Sequence, residues 1–126
     1  MTDPTYQRIL VTGSRKWTNP DTITATLDNI PVDPANPPVL VHGAAEGADT
    51  IAAEHWKSLG YPTEPHPANW RRYGRKRAGH IRNAQMVNLD ADLCLAFIHN
   101  HSAGTTHTVE LAEAAGIPLR IHRENT

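Results

Sequence analysis

The stretch His42-Gly-Ala-Ala-Glu-Gly-Ala-Asp49 decides how this sequence is interpreted, because it joins two segments of different periodicity. Before it, residues 38–41 form a short apolar run with β-branched side chains, which is typical of a buried strand. After it, residues 48–59 carry apolar side chains at helical spacing. A turn of small residues at a helix N-terminus brings main-chain amides together and favours binding of phosphate or carboxylate. The stretch therefore predicts an anion-binding turn between a strand and a helix.

The composition is typical of one globular domain. The chain has 126 residues, of which 39% are hydrophobic and 20% charged, with a formal net charge of -1. We treat residues 1–126 as a single domain, with 1–6 and 123–126 as loose termini. No apolar run approaches the roughly 18 residues of a membrane helix, and the N-terminus has no secretory pattern. With a lone Cys94 that cannot form an internal disulfide, we expect a cytoplasmic protein without a membrane partner.

Strands and helices alternate along the whole sequence. Strands are predicted at residues 8–12, 38–41, 61–66, 92–98 and 117–121. Helices are predicted to begin near residues 20, 48, 76 and 104, and Trp70 and Tyr73 fall in a loop. The strand at 61–66 contains two prolines and belongs at an edge, whereas the unbroken apolar run at 92–98 belongs in the centre of the sheet. This alternation predicts an α/β fold, a three-layer Rossmann-like sandwich with a mostly parallel sheet of about five strands.

Three polar loops follow strands of this sheet, at residues 13–17, 43–49 and 99–106. Because ligands of open parallel sheets bind at the carboxyl ends of the strands, we expect the loops to converge on one pocket. Gly13, Ser14 and Arg15 offer amides, a hydroxyl and a guanidinium fork to a phosphate. Trp17, like Trp70 and Tyr73, has a ring that suits a nucleobase, although core packing is equally compatible with the sequence.

The turn at residues 43–49 matches neither of the two common phosphate-binding signatures. It lacks the G-x-G-x-x-G spacing and the Walker lysine, which argues against an ordinary dinucleotide fold and a P-loop NTPase. Within it, Glu46 is a candidate for contact with a ribose hydroxyl, and Asp49 is better explained as a helix cap. Three histidines, at positions 99, 101 and 107, invite a metal hypothesis, but no cysteine or carboxylate pair completes a ligand set. We interpret them as hydrogen-bonding residues or bystanders.

Positive charge is concentrated between Arg71 and Arg82, where six of the 12 Lys and Arg residues lie. Such a density attracts an anionic ligand, and a solvated helix face explains it equally well.

Four blocks of the sequence together resemble the SLOG superfamily, and within it the small YspA-like branch of bacteria and phages. The blocks lie at residues 11–15, 42–49, 78–86 and 104–105, and the resemblance extends from about residue 8 to 119. It implies a Rossmann-like fold that binds or senses nucleotides or nucleotide-derived ligands. Arg82 aligns with an arginine of the family and is suited to phosphate.

The resemblance also implies two alternatives. LOG enzymes of this superfamily cleave the N-glycosidic bond of nucleoside monophosphates with a Pro-Gly-Gly-x-Gly-Thr-x-x-Glu motif. Here Thr108 stands at the glutamate position, and Glu110 lies two residues further, about 200° around a helix. An N-glycosidase or deoxyribosyltransferase would therefore need Glu46 or Glu110 as its catalytic carboxylate. The DprA branch binds single-stranded DNA, so the basic run is a candidate for nucleic-acid binding.

The favoured hypothesis is a pocket for a nucleotide or nucleotide-derived phosphorylated small molecule. Its predicted ligand-binding residues are Gly13, Ser14, Arg15, Trp17, Gly43, Ala44, Glu46, Gly47, Asp49, Arg82, Asn83, Gly104 and Thr105. No metal or cofactor is predicted. The sequence is compatible with a homo-oligomer and indicates no interface.

Overall fold

Ten helices and strands alternate along the computed structural model, which describes residues 6–124. The strands are β1 (Arg8–Gly13), β2 (Val39–His42), β3 (Thr63–Pro65), β4 (Leu93–His99) and β5 (Leu119–Glu124). The helices are α1 (Pro20–Asp28), α2 (Ala48–Ser58), α3 (Trp70–Tyr73), α4 (Arg75–Val87) and α5 (Ala103–Ala114). All five strands form one sheet in the order β3-β2-β1-β4-β5, and every neighbouring pair is parallel. The predicted Rossmann-like α/β fold is confirmed.

The two faces of the sheet are covered by different helices, because side chains of successive strand residues point to opposite faces. One face carries the buried residues Ile9, Val11, Leu40, Leu95 and Phe97, which pack with Ile23 and Leu27 of α1 and Trp56 of α2. The other carries Leu10, Val41 and Cys94, which pack with Met86 and Val87 of α4 and Ala112 of α5. The three predicted layers are therefore present.

Local sequence signals place the helix starts where they were expected. The side-chain oxygen of Asn19 accepts a hydrogen bond from the Asp21 amide, and Pro20 occupies the first helical position of α1. β3 lies at one edge of the sheet, as its prolines predict. The next segment differs from prediction, because Trp70 and Tyr73 lie in the short helix α3 and not in a loop. Its N-cap is Asn69, whose side chain accepts from the Arg72 amide.

Two details of the sheet correct the sequence interpretation. β4 lies inside the sheet, but β1 occupies its middle position, because only β5 lies beyond β4. The termini are also less loose than expected. Arg123 and Glu124 belong to β5, and Tyr6 packs against the core beneath α1 and α2. Residues 1–5 and 125–126 lie outside the described residues.

No helix within residues 6–124 has both the length and the apolar content needed to cross a membrane. The single-domain assignment and the cytoplasmic location stay predictions.

Candidate functional site

A cleft of about 950 Å³ opens at the carboxyl ends of β1 and β4. Strand order reverses there, since β2 and β3 follow β1 to one side while β4 and β5 lie on the other. This reversal is where open α/β sheets bind ligands, and the volume is ample for a small molecule. Parts of all three polar loops line the cleft, namely residues 12–16, Ala45 with Asp49, and residues 99–105. α3 and α4 supply a further wall, through Trp70, Arg75, Lys76, Gly79, His80, Arg82, Asn83 and Met86.

Ser14 forms hydrogen bonds that link three elements at the floor of the cleft. Its amide donates to the Phe97 carbonyl over 2.8 Å, and its hydroxyl oxygen accepts from the His99 amide over 2.9 Å. Its carbonyl accepts from the Ala48 amide over 3.2 Å. One buried serine thus ties β1 to β4 and to the first turn of α2. Its predicted place at the site agrees with the geometry, but its polar atoms are largely engaged by the protein.

Two glycines allow the loops to approach this closely. A Cβ on Gly13 would lie 2.3 Å from the Ala48 Cβ, so β1 and α2 meet only without a side chain there. Gly47 has a φ of +77°, and a Cβ would lie 2.4 Å from the Arg15 carbonyl oxygen. Both glycines therefore shape the cleft, and Gly47 does so from outside its lining.

The turn at residues 43–49 is bonded internally, which corrects the expectation of an open amide cradle. Asp49 Oδ2 accepts from the Gly43 amide over 3.0 Å and from the Ala45 amide over 3.5 Å. The Ala44 amide donates to Nδ1 of His42 over 3.1 Å. Neither Gly43 nor Ala44 lines the cleft, so the amides of these two residues are not placed to hold a ligand there. The N-cap of α2 is Gly47, so the interpretation of Asp49 as a helix cap is wrong as well.

Asp49 itself faces the cleft from a buried position. The residue is 5% exposed, and its Oδ1 atom has no hydrogen-bond partner among residues 6–124. Burial raises its pKa to about 6, against the lowering effects of the two turn amides and of the Arg82 guanidinium. The floor of the cleft therefore holds a carboxyl group with one unsatisfied oxygen.

Arg82 and Asn83 brace the neighbouring walls. Arg82 Nη1 donates to the Gly43 carbonyl over 2.6 Å, and its Nε donates to the Asn83 side-chain oxygen over 2.9 Å. The Asn83 amide nitrogen donates to the Gly104 carbonyl over 3.3 Å. Burial lowers the Arg82 pKa, partly offset by Asp49, but a guanidinium keeps its charge. Both residues line the cleft, and both also hold α4 against the turn and α5.

The first turn of α5 opens into the cleft. Ser102 is its N-cap, but the Ser102 side chain makes no capping hydrogen bond to the first amides of the helix. The Ser102 hydroxyl donates instead to the Thr105 hydroxyl over 2.9 Å. Ala103, Gly104 and Thr105 line the cleft, where the positive end of the helix dipole adds to their amides. Gly104 and Thr105, both predicted as ligand-binding residues, thus lie in the cleft lining.

The cleft is lined by cations. These are Arg15, Lys16, Arg75, Lys76 and Arg82, and Asp49 is the one carboxylate among the described lining residues. At the mouth, the Arg15 guanidinium lies 5.7 Å from the ring centroid of Trp70, which is 41% exposed. The basic run is divided, because Arg71, Arg72 and Arg77 lie outside the cleft lining. The resulting field favours a ligand with negative charge.

Three predicted residues do not face the cleft. Trp17 is 5% exposed, and its ring lies 5.5 Å from that of Phe97 in an edge-to-face contact. It is a core residue, so the expectation that it stacks on a base is wrong. Glu46 and Glu110 are exposed and lie outside the lining, so neither carboxylate is positioned to act on a ligand there. Thr108, at the family's glutamate position, is buried and bonds to the Gly104 carbonyl.

Two of the three histidines of the metal hypothesis, His99 and His107, have different partners. His99 Nδ1 lies 2.8 Å from Glu124 Oε1, while His107 stacks on His80 with 4.1 Å between ring centroids. Burial and His80 lower the His107 pKa. Within the described part of the chain, no group of three or more His, Cys, Asp or Glu side chains is arranged to hold a metal ion.

Sequence reasoning missed the wall made by α3 and α4. Arg75, Lys76 and His80 line the cleft although none was among the predicted ligand-binding residues. The basic run was the available signal, but its periodicity did not tell which cations face inward. Trp70, noted only as one of three candidate rings, is the tryptophan at the mouth.

Comparison with known proteins identifies relatives for this architecture. Residues 7–73 match the family described as YspA, cpYpsA-related SLOG family. The gene 61 protein of Mycobacterium phage D29 is 42% identical over 120 residues, covering 90% of this chain and 94% of the phage protein.

Two solved structures share the fold. DNA processing protein A (DprA) from Streptococcus pneumoniae superposes with a TM-score of 0.75 at 17% identity, over 92% of this chain and 50% of that one. DprA from Helicobacter pylori, described in a structure of its single-stranded DNA binding mode, has a TM-score of 0.58 at 18% identity. That match covers 91% of this chain and 64% of DprA. The chain thus spans about half to two thirds of these proteins, and the likeness shows the fold.

Proposed function

Since this chain belongs to the YspA, cpYpsA-related SLOG family, we propose that it binds a nucleotide or nucleotide-derived phosphorylated small molecule in the cleft between β1 and β4. The observation that carries the proposal is the first turn of α5, which opens into a cleft lined by five Lys and Arg side chains and whose N-cap Ser102 makes no side-chain capping hydrogen bond. Helix N-terminal amides and a guanidinium are the groups that recognise phosphate oxygens.

In this binding mode the phosphate lies against the amides of residues 103–105, and Arg15 reaches it from the opposite loop. Of the three candidate rings, Trp70 takes the stacking role, because its ring is exposed at the mouth. The turn at residues 43–49 supports the cleft from behind, since its Gly43 and Ala45 amides are bonded to Asp49. The enzymatic alternative loses support, because both of its candidate carboxylates, Glu46 and Glu110, lie outside the lining.

A second candidate function is binding of single-stranded nucleic acid. Trp70 and Arg15 at the mouth are continuous with exposed cations on α3 and α4, including Arg71, Arg72 and Arg77. Aromatic rings beside a basic track are typical of single-strand binding, and one DprA relative is described as binding single-stranded DNA. This function predicts affinity that falls steeply with salt.

Two arginine variants distinguish these functions. Nucleoside monophosphates and an oligothymidylate are titrated against the wild-type protein, Arg15→Ala and Arg71→Ala, two changes equal in charge. If the cleft binds nucleotides, Arg15→Ala weakens nucleotide binding about tenfold or more, while Arg71→Ala leaves it unchanged. If the protein binds single strands, both variants weaken oligonucleotide binding and lower its salt dependence.

The same titrations contain the results that count against the proposal. Absence of nucleotide binding at millimolar concentration would remove the small-molecule function. Equal losses of nucleotide affinity in both variants would show that the nucleotide binds outside the cleft. Release of free base during incubation would restore the enzymatic alternative, and Glu46→Gln would then test its first candidate.

A further inference from the structure

The carboxyl group of Asp49 is only half used by the protein. Oδ2 accepts the hydrogen bonds of the β2–α2 turn, whereas Oδ1 is buried without a partner in the part of the chain that is described. Unsatisfied buried acceptors are uncommon in folded proteins, because they have lost their water without gaining a donor. The turn alone therefore does not explain why a carboxylate with two acceptor oxygens stands here.

The position of Asp49 indicates where the missing donor comes from. Asp49 lines the same cleft as the first turn of α5, and the charge of Arg82 acts on its carboxylate. The terminal torsion of an aspartate is soft, and the 3.5 Å bond to the Ala45 amide restrains it little. Contact between Oδ1 and a donor in the cleft therefore requires a rotation about Cβ–Cγ that brings this oxygen out of its buried position.

We infer that Asp49 is the residue that reads the neutral part of the ligand, by accepting a hydrogen bond from an O–H or N–H group on the molecule whose phosphate binds at α5. This inference rests on the proposed function and adds a specificity residue to it. A ligand that consists of phosphate alone fills the cationic side of the cleft and leaves Asp49 unsatisfied. The preferred ligand therefore carries both a phosphate and a donor, as the sugar hydroxyls and base amino groups of nucleotides do.

The proposed role requires two acceptor oxygens at position 49, which an aspartate has and an asparagine lacks. Asparagine keeps the shape of the side chain, and its carbonyl oxygen replaces Oδ2 as acceptor for the turn amides. Its NH₂ group then stands where Oδ1 stood, so that a donor meets the donor of the ligand. Asp49→Asn should consequently weaken ligands with the donor but not inorganic phosphate or pyrophosphate, because the loss of a negative charge does not weaken the binding of an anion.

A thermodynamic cycle between protein and ligand tests this. Wild-type protein and Asp49→Asn are titrated with pyrophosphate, AMP, 2′-deoxy-AMP, 3′-deoxy-AMP and the amino-free purine ribotide by calorimetry. In the wild type, removal of one donor weakens binding about tenfold or more, and the analogue concerned identifies the donor as a sugar hydroxyl or the base amino group. In Asp49→Asn, that analogue and AMP bind equally weakly, because the contact is already lost.

Controls distinguish an error in the role of Asp49 from an error in the proposed function. Glu54→Gln removes an exposed carboxylate of α2 outside the cleft lining and should not change any affinity in the series. If pyrophosphate and AMP both fail to bind the wild type, the proposed function is wrong. If both ligands bind the wild type, and Asp49→Asn weakens pyrophosphate and AMP equally or weakens neither of them, Asp49 does not accept a hydrogen bond from the ligand. Should Asp49→Asn fail to fold, equal affinity of the wild type for AMP and all three analogues overturns the inference by itself.

Discussion

Asp49 should make the protein less stable as the pH rises, which is the reverse of the usual behaviour of a carboxylate. Burial raises its pKa from the ordinary 3.8 to about 6 in the folded protein. Between these two values the folded chain holds a proton that the unfolded chain has released. Stability falls with pH wherever the native state binds more protons, so this group lowers the free energy of unfolding as the pH passes from about 4 to 6.

The size of the effect follows from the difference in pKa. A difference of one corresponds to about 1.4 kcal/mol, so the ionised Asp49 costs about 3 kcal/mol relative to the protonated form. About 2 kcal/mol of this develops between pH 4.5 and 7.5. The Asp49→Asn variant has no such proton, and its free energy of unfolding relative to the wild type should rise by that amount over the same interval.

Urea unfolding at the two pH values measures the difference. The fluorescence of the buried Trp17 and Trp56 reports the transition, and a change of about 2 kcal/mol moves the midpoint by roughly 1 M urea. Glu46→Gln, an exposed carboxylate of the same turn, serves as the control and should follow the wild type. A pH-independent difference between Asp49→Asn and wild type would refute the reasoning. A difference of opposite sign would mean that Arg82 and the turn amides outweigh the burial of the charge.

Three further predictions test the construction of the cleft. Gly47→Ala should lower the melting temperature more than Gly60→Ala, because both have positive φ but only Gly47 has main chain within 2.4 Å of the added Cβ; equal losses would exclude the close approach. Ser14→Ala leaves a buried β4 amide without its acceptor and should cost about 1–3 kcal/mol in urea unfolding, and a neutral effect would contradict its fastening role. Trp70→Ala should weaken nucleotide binding with little change in stability, whereas Trp17→Ala should do the opposite by opening the core; calorimetry and thermal melts decide between these outcomes.

The fold was readable from the sequence because its main signals are local. An unbroken apolar run such as β4 is compatible with few other structures, and the Asn19 cap with Pro20 marks the start of α1 without tertiary help. The site was readable in outline for a topological reason, since parallel strands bring their carboxyl ends to one edge. α3 was missed because a four-residue helix has no hydrophobic period to detect.

The direction of individual side chains could not be obtained in this way. Asp49 was interpreted as a helix cap, but its carboxylate turns back to the preceding amides, and this choice depends on the path of the turn. Trp17 follows β1 in a loop, yet its ring packs against Phe97 in the core. The cations that face the cleft are likewise selected by the orientation of α4, which is set by contacts with α5 far along the chain.

The hydrogen bonds of Ser14 have a consequence for the kinetics of recognition. They join β1, β4 and α2 through the protein's own atoms, so the floor of the cleft is assembled before any ligand arrives. Binding then needs no slow rearrangement of these elements, and little ordering entropy is lost there. Association rates should therefore be similar for related ligands, and discrimination among them should appear in how long each one stays bound.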